Sequence, residues 1–168
     1  MFFALWPDDE IRNSLYNVAA QFKDEELRRV KKSNLHMTLE FLGEVSDSEQ
    51  QKLIERVSQI KSEPFELQLT RIGFWKKPQI LFIGTTQIPN PLLTLVKSIK
   101  KCVKQQRIKT DDREYKPNIT IARKAKKVIV PKETFTIDWQ VSSFVLVVSN
   151  STDNGVEYRV INKWSLIN

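Results

Sequence analysis

Two four-residue stretches carry side chains suited to acid–base and phosphate chemistry. His36-Met37-Thr38-Leu39 runs polar, apolar, Thr, apolar, and Asn118-Ile119-Thr120-Ile121 repeats the pattern about half the chain later. In an extended strand, side chains two residues apart share a face. Each stretch would hold its two polar groups on one side while its apolar residues anchor the strand. His36, Thr38 and Glu40 are expected on one face, Met37, Leu39 and Phe41 on the other. Two such strands across a cleft, each with an imidazole and a hydroxyl, suit phosphoester cleavage without a metal. One imidazole takes a proton from the attacking oxygen and the other gives one to the leaving oxygen. Threonine hydroxyls and nearby Arg or Lys hold the non-bridging oxygens and stabilise developing charge. Histidine serves both proton transfers because it titrates near neutrality. Only the first stretch carries one, however, and His36 is the chain's single histidine. Taken alone, a lone histidine on a strand reads more simply as a surface or structural residue.

The elements that would position these residues follow from hydrophobic periodicity. Phe2–Trp6 reads as a buried strand, and Pro7 and Asp8 open a helix whose stripe is Ile11, Leu15, Val18, Ala19 and Phe22. After the basic segment Arg28–Lys32 comes the strand with His36. Ser46–Ile60 is expected to be a second helix, with Ser46 and Glu49 spaced for a capping box. Phe65–Gly73 reads as one alternating strand, Gly73–Gln79 as a loop and Ile80–Thr86 as a buried strand. Pro91–Gln106 predicts a third helix. Lys97, Lys100, Lys101 and Lys104 lie along one of its faces. Such a row is ordinarily a solvated face, so no RNA contact is assigned to it. A charged loop, Thr110–Lys116, leads into the Asn118 strand. Lys126–Val130, Thr134–Trp139 and Ser142–Ser151 follow as further strands. Asn154-Gly155 signals a hairpin turn, and Val156–Trp164 is its return strand. The strand-rich order and short connections predict an α+β fold with antiparallel pairing.

Composition narrows the class. The chain has 168 residues, one domain's worth, with 40% hydrophobic residues and a formal net charge of +7. That excess of Lys and Arg suits an anionic partner, phosphates above all, though solubility is the plain alternative. No apolar run is long enough to span a membrane, and the amino-terminal stretch lacks the basic flank of a signal peptide. The single Cys102 makes an internal disulfide impossible, which favours a reducing cytoplasm. Its place among apolar helix positions suggests a buried structural thiol. These counts also leave the usual zinc ligand sets unfilled.

Five ordered segments carry a resemblance. "FFALWPDDEIRNSL", "LHMTLEFLGEV", "GFWKKPQILFIG", "YKPNITIAR" and "SNSTDNGVEYRVINKWSL" together resemble the bacterial RNA 2',3'-cyclic phosphodiesterases, also called 2'-5' RNA ligases, of the two-histidine phosphoesterase superfamily. The likeness spans nearly the whole chain. It implies a single domain over residues 1–168, bilobal α+β, with two antiparallel sheets and outer helices around a central cleft. It also implies a pseudo-twofold duplication placing one motif in each lobe, at 36–39 and 118–121. The implied activity is metal- and cofactor-free opening of RNA 2',3'-cyclic phosphate ends to 2'-phosphates, with 2'-5' ligation as the reverse reaction. The implied partner is RNA with cyclic phosphate or 2'-phosphate ends, or nucleotides, met by a cytoplasmic monomer. By position, His36 would be the proton donor to the leaving 3' oxygen, and Thr38 and Thr120 would bind phosphate. Arg123 matches the arginine that closes the second motif, as a phosphate clamp or a strand-end salt bridge. Arg113 and Lys116 would line the RNA path or be merely solvated. Trp75 would stack on a base or pack its loop onto the core.

The sequence departs from the family at one place. The proton-accepting histidine falls on Asn118, and an amide takes no proton near neutral pH. Three explanations stand open: a degenerate copy that binds RNA ends or nucleotides without turnover, a deliberate His-to-Asn exchange, or replacement of the base by Glu114 or Tyr115. A single-stranded RNA binder without end recognition is the further rival.

Overall fold

A computed structural model describes residues 1–23, 26–111, 113–127, 131, 133–152, 155–167, with side-chain burial left undescribed at Thr152. The elements run β1 (Phe2–Leu5), α1 (Asp9–Ala20), β2 (Arg28–Arg29), a 3-10 turn (Lys32–Asn34), β3 (Met37–Phe41), α2 (Asp47–Val57), β4 (Phe65–Leu69), β5 (Arg71–Trp75), β6 (Ile80–Gly84), α3 (Asn90–Gln105), β7 (Asn118–Arg123), β8 (Ile137–Val141), β9 (Ser143–Thr152) and β10 (Gly155–Ser165). The α+β class and the two antiparallel sheets are as expected. One sheet has eight strands in the order β10-β9-β1-β3-β7-β6-β5, with β2 added on β7, and the other is the pair β4-β8.

Three details differ from the sequence reading. Phe65–Gly73 is not one strand: β4 pairs with β8, and β5 turns back onto β6 in the large sheet. Trp75 therefore ends a strand rather than sitting in a loop. The two motif strands do not belong to separate facing sheets either. β3 and β7 are neighbours in the large sheet, joined at Met37↔Ile119. Residues 128–130 and 153–154, where a short strand and part of the hairpin turn were expected, lie outside the described residues.

Local chemistry explains the helices. Asp8 caps α1 by accepting from the Ile11 amide at 2.9 Å. Arg29 of β2 closes the other end, donating to the Phe22 carbonyl at 2.6 Å and the Ala19 carbonyl at 3.3 Å, where α1 has no basic residue of its own. Ser46 and Glu49 form the expected capping box on α2. The buried residues of all three helices and of β4 and β8 belong to one core cluster with Phe3, Leu5, Met37, Leu39, Leu81, Ile83, Ile119 and Ile121. Cys102 packs half-buried against that cluster, and burial pushes its thiol pKa up. A second, smaller cluster, Phe2, Ala4, Val145 and Val147 with Trp6 and Tyr158, lies on the other face of the large sheet. His36 packs on that face.

Both motif strands carry a bulge at the same place. Against β1, Ala4 faces Thr38 and Phe3 faces Glu40, so Leu39 is the extra residue. Against β6, Phe82 faces Thr120 and Leu81 faces Ala122, so Ile121 is the extra residue. An extra residue reverses the in–out alternation beyond it. Glu40 consequently turns to the helix side, opposite core residue Phe3, and Phe41 turns to the His36 side, opposite Phe2. This corrects the simple alternation expected for β3. The same device turns Ala122 into the core and Arg123 to the His36 side.

Candidate active site

His36 directly precedes β3 and is held from several sides. Its Nδ1 lies 2.7 Å from the Asn34 carbonyl. A carbonyl only accepts, so Nδ1 carries the proton and Nε2 is left with a lone pair. Nε2 lies 3.1 Å from the Thr38 hydroxyl, which donates to it. The imidazole is stacked between Phe2 and Trp6, with centroids at 4.8 and 5.8 Å, and Tyr158 meets it edge-on at 5.1 Å. Asn34 also donates its side-chain amide to the Val156 carbonyl at 2.8 Å. One residue thereby ties the imidazole to the β9–β10 hairpin that supplies Tyr158.

Burial depresses the His36 pKa, the hydrogen bond to Asn34 opposes this, and the positive fields of Arg12 and Arg123 depress it further. The free protein therefore holds His36 neutral around pH 7. Arg12 was not singled out from the sequence. It lies with its guanidinium 5.0 Å from the Trp6 ring, and its Nη1 is 3.8 Å from Asp9. Its Nε and Nη2 are buried without a hydrogen-bond partner.

Asn118 opens β7, next to β3. Continuing the antiparallel register from Met37↔Ile119 sets Thr38 level with Asn118 and His36 level with Thr120. The four motif residues thus form one half-buried quartet on a single sheet face. Asn118 Nδ2 donates to the Lys116 carbonyl at 2.7 Å. This repeats, residue for residue, the bond from His36 Nδ1 to the carbonyl two positions earlier. An asparagine amide nitrogen overlays the first ring nitrogen of histidine, but the side chain has no atom where Nε2 would lie. Asn118 thus shares the tether of His36 but offers no basic nitrogen.

The remaining candidates divide. Arg123 is exposed at the end of β7 and faces the site, where its charge acts on His36. It makes no salt bridge among the described residues, unlike the strand-end alternative. Tyr115 donates its hydroxyl to the Thr38 carbonyl at 3.1 Å, and burial pushes its pKa upward. A buried phenol already donating is no base. Glu114 is exposed. Arg113 is held by Asp111 through paired bonds at 2.9 and 2.5 Å, which keep the Asp111 carboxyl well below its ordinary range. Lys116 is exposed beside the quartet. Trp75 packs on Phe82 at 4.5 Å, and Phe82 lies opposite Thr120, so it supports the site floor rather than the helix-side core. Phe41, missed by the sequence reading because of the bulge, is 63% exposed beside Phe2 at 5.8 Å. Among the described residues no group of His, Cys, Asp or Glu is placed to hold a metal ion. No helix among them is long and apolar enough to cross a membrane.

A sheet face with an imidazole, two threonine hydroxyls and site-facing arginines is the equipment of a phosphoesterase. Comparison with known proteins agrees. The family model "LigT like Phosphoesterase" matches residues 5–82. The RNA 2',3'-cyclic phosphodiesterase of Thermus thermophilus is 31% identical over 99% of this chain and 89% of its own length. That of Escherichia coli is 29% identical over 99% of this chain and 96% of its own. A crystal structure of E. coli LigT complexed with 3'-AMP superposes with a TM-score of 0.92 at 30% identity, covering 99% of this chain and 97% of that one. This chain belongs to the LigT-like phosphoesterase family.

Proposed function

We propose that the chain acts on 2',3'-cyclic phosphate ends of RNA, opening them to 2'-phosphates, and that Asn118 slows this reaction without abolishing recognition of the end. The observation that carries the reading is the paired tether, His36 to the Asn34 carbonyl and Asn118 to the Lys116 carbonyl, both at 2.7 Å. It supports a two-sided site in which one side retains its imidazole and the other only its scaffold. Thr38, Thr120 and Arg123 hold the cyclic phosphate, and Phe41 offers its exposed ring to the terminal base. Binding a phosphate anion beside His36 offsets the fields of Arg12 and Arg123 and favours the imidazolium. His36 then donates from Nε2 to the leaving 3' oxygen once the phosphate has displaced the Thr38 hydroxyl. On the far side, Asn118 Oδ1 orients water but takes no proton, so attack proceeds with unassisted water. With a 5' hydroxyl in place of the water, the same groups would open the cyclic phosphate to a 2'-5' linkage, the 3' oxygen again leaving with the proton from His36. The partners are RNA ends or nucleotides, met by a monomer in a reducing compartment.

The test is product analysis. The Asn118→His protein is incubated with a short RNA ending in a 2',3'-cyclic phosphate, and the product is read by phosphorus NMR. A 2'-phosphate is expected. A 3'-phosphate, or an untouched end with the RNA bound, would refute the reading.

A further inference from the structure

The lysine row on α3, given no role above, borders a groove. An opening of about 650 Å³ runs along the helix, lined by Leu93, Val96, Lys97, Lys100, Lys101 and Lys104, with Gln105 and Tyr115 at its edges. Its floor is apolar, and Leu93 is 41% exposed in it. These lysines border an open, shallow depression with an apolar floor.

The row is not uniform. Lys100 points inward, donating to the Asp111 carbonyl at 2.7 Å and lying 3.6 Å from the buried Glu40 carboxylate. It fixes the start of the loop that forms the groove wall, and Glu40 accepts from the Asp111 amide at 3.2 Å. Lys97 and Lys101 are exposed and make no ion pair among the described residues. Two free cations above an apolar floor fit an anion with a flat apolar part.

The groove lies on the helix face of the sheet, opposite the quartet, with Tyr115 between the two. Tyr115 lines it and donates its hydroxyl to the Thr38 carbonyl, 3.1 Å away. From Tyr115 the chain reaches Asn118 through exposed Lys116 and buried Pro117.

We infer that this α3 groove holds single-stranded RNA by its backbone, on the face of the sheet opposite the reacting end. Its phosphates contact Lys97 and Lys101, and a base lies against the exposed Leu93. The inference rests on the proposed RNA-end function but uses residues remote from the reacting atoms. Backbone contacts of this kind give affinity without sequence preference and are released by salt.

Binding tests it, by anisotropy of a labelled single-stranded RNA of about twelve nucleotides with a blocked 3' end, alongside a mononucleotide 2',3'-cyclic phosphate. The Lys97→Gln/Lys101→Gln protein is compared with a Lys23→Gln/Lys61→Gln protein, which loses the same charge away from the groove. Each phosphate contact contributes about 0.7 to the salt slope for single strands. The groove variant should therefore lose about 1.4 in slope, roughly 25-fold in affinity at 0.1 M salt against 1 M. Mononucleotide binding should stay unchanged. Equal losses in both variants would overturn the inference, because net charge alone would then explain the binding. Competition by polyglutamate as strong as by RNA would overturn it too. If the oligonucleotide depends on Lys97 and Lys101 but the cyclic mononucleotide never binds, the groove stands and the end chemistry falls.

Discussion

Replacing Asn118 with histidine adds back one atom of consequence, the Nε2 that the asparagine lacks. Everything that would orient the new ring is already present. The Lys116 carbonyl sits 2.7 Å from the Asn118 amide nitrogen, matching the 2.7 Å by which Asn34 fixes His36. The new Nδ1–H would donate to that carbonyl, leaving the Nε2 lone pair facing the quartet, two residues from the Thr120 hydroxyl. The gain is therefore that of a positioned general base alone, about 10²–10⁴ in rate, or about 2.7–5.4 kcal/mol of barrier at 1.36 kcal/mol per tenfold. Because Thr38, Thr120 and Arg123 are untouched, the gain should fall on kcat, with KM nearly constant. The assay is single-turnover opening of an RNA 2',3'-cyclic phosphate by the parent chain, Asn118→His, His36→Ala and the double variant. The double variant should lose nearly all of the gain, since donor and base act in one transition state and their effects are not additive. No gain from Asn118→His in a protein that still binds the cyclic end would refute the reasoning. So would a double variant as fast as Asn118→His.

Further outcomes follow from the same geometry. His36 is the only histidine, so its ring nitrogens report alone in nitrogen NMR. They should show the Nδ1-protonated tautomer and a pKa below the ordinary histidine value, shifted upward when inorganic phosphate binds. Because the folded-state pKa is depressed, the unfolded chain binds more protons on mild acidification. Stability contributed by neutral His36 should fall as the pH drops below about 6.5 and level off below the folded value, which denaturant curves of the parent and His36→Asn proteins would reveal. At Gly73 a Cβ would lie 2.1 Å from the Phe82 ring. Gly73→Ala should cost about 1–3 kcal/mol by overpacking and disturb Thr120, which faces Phe82, and a chemically neutral result in urea denaturation would contradict that packing. Glu40→Ala removes the acceptor of the Asp111 amide and the partner of Lys100, and should destabilise by about 1–3 kcal/mol without altering the His36 tautomer, because Glu40 points to the opposite face.

Much of this was legible in the sequence because local signals and burial agreed. The stripes of α1, α2 and α3 and the Ser46 capping box depend on neighbours in the chain, and they appear where the periodicity put them. The assignment of partners was less legible. Phe65–Gly73 alternates without a break, yet Thr70 separates two strands that belong to different sheets, and that choice is made by β8 and β6. Arg12 carried no signal beyond being a helix residue. Its importance arises only when the helix sets it against Trp6.

The bulges show most clearly how a site can hide in a regular pattern. Read by strict alternation, Glu40 joins His36 and Thr38 as a third polar group, and Phe41 joins the core. The extra residue at Leu39 exchanges them: a carboxylate that would repel phosphate is taken out of the site, and an aromatic ring is placed in it. The extra residue at Ile121 does the equivalent in the second strand, exchanging Ala122 for Arg123. In each case the residue three places after the threonine is delivered to the site face, a ring on one side and a cation on the other. Such matched irregularities are costly to keep by chance, since each interrupts a ladder. Both lie here around the quartet of His36, Thr38, Asn118 and Thr120. On the proposed reading the scaffold for two-sided phosphate chemistry is intact on the Asn118 side, which is why a single substitution is expected to restore what that side lacks.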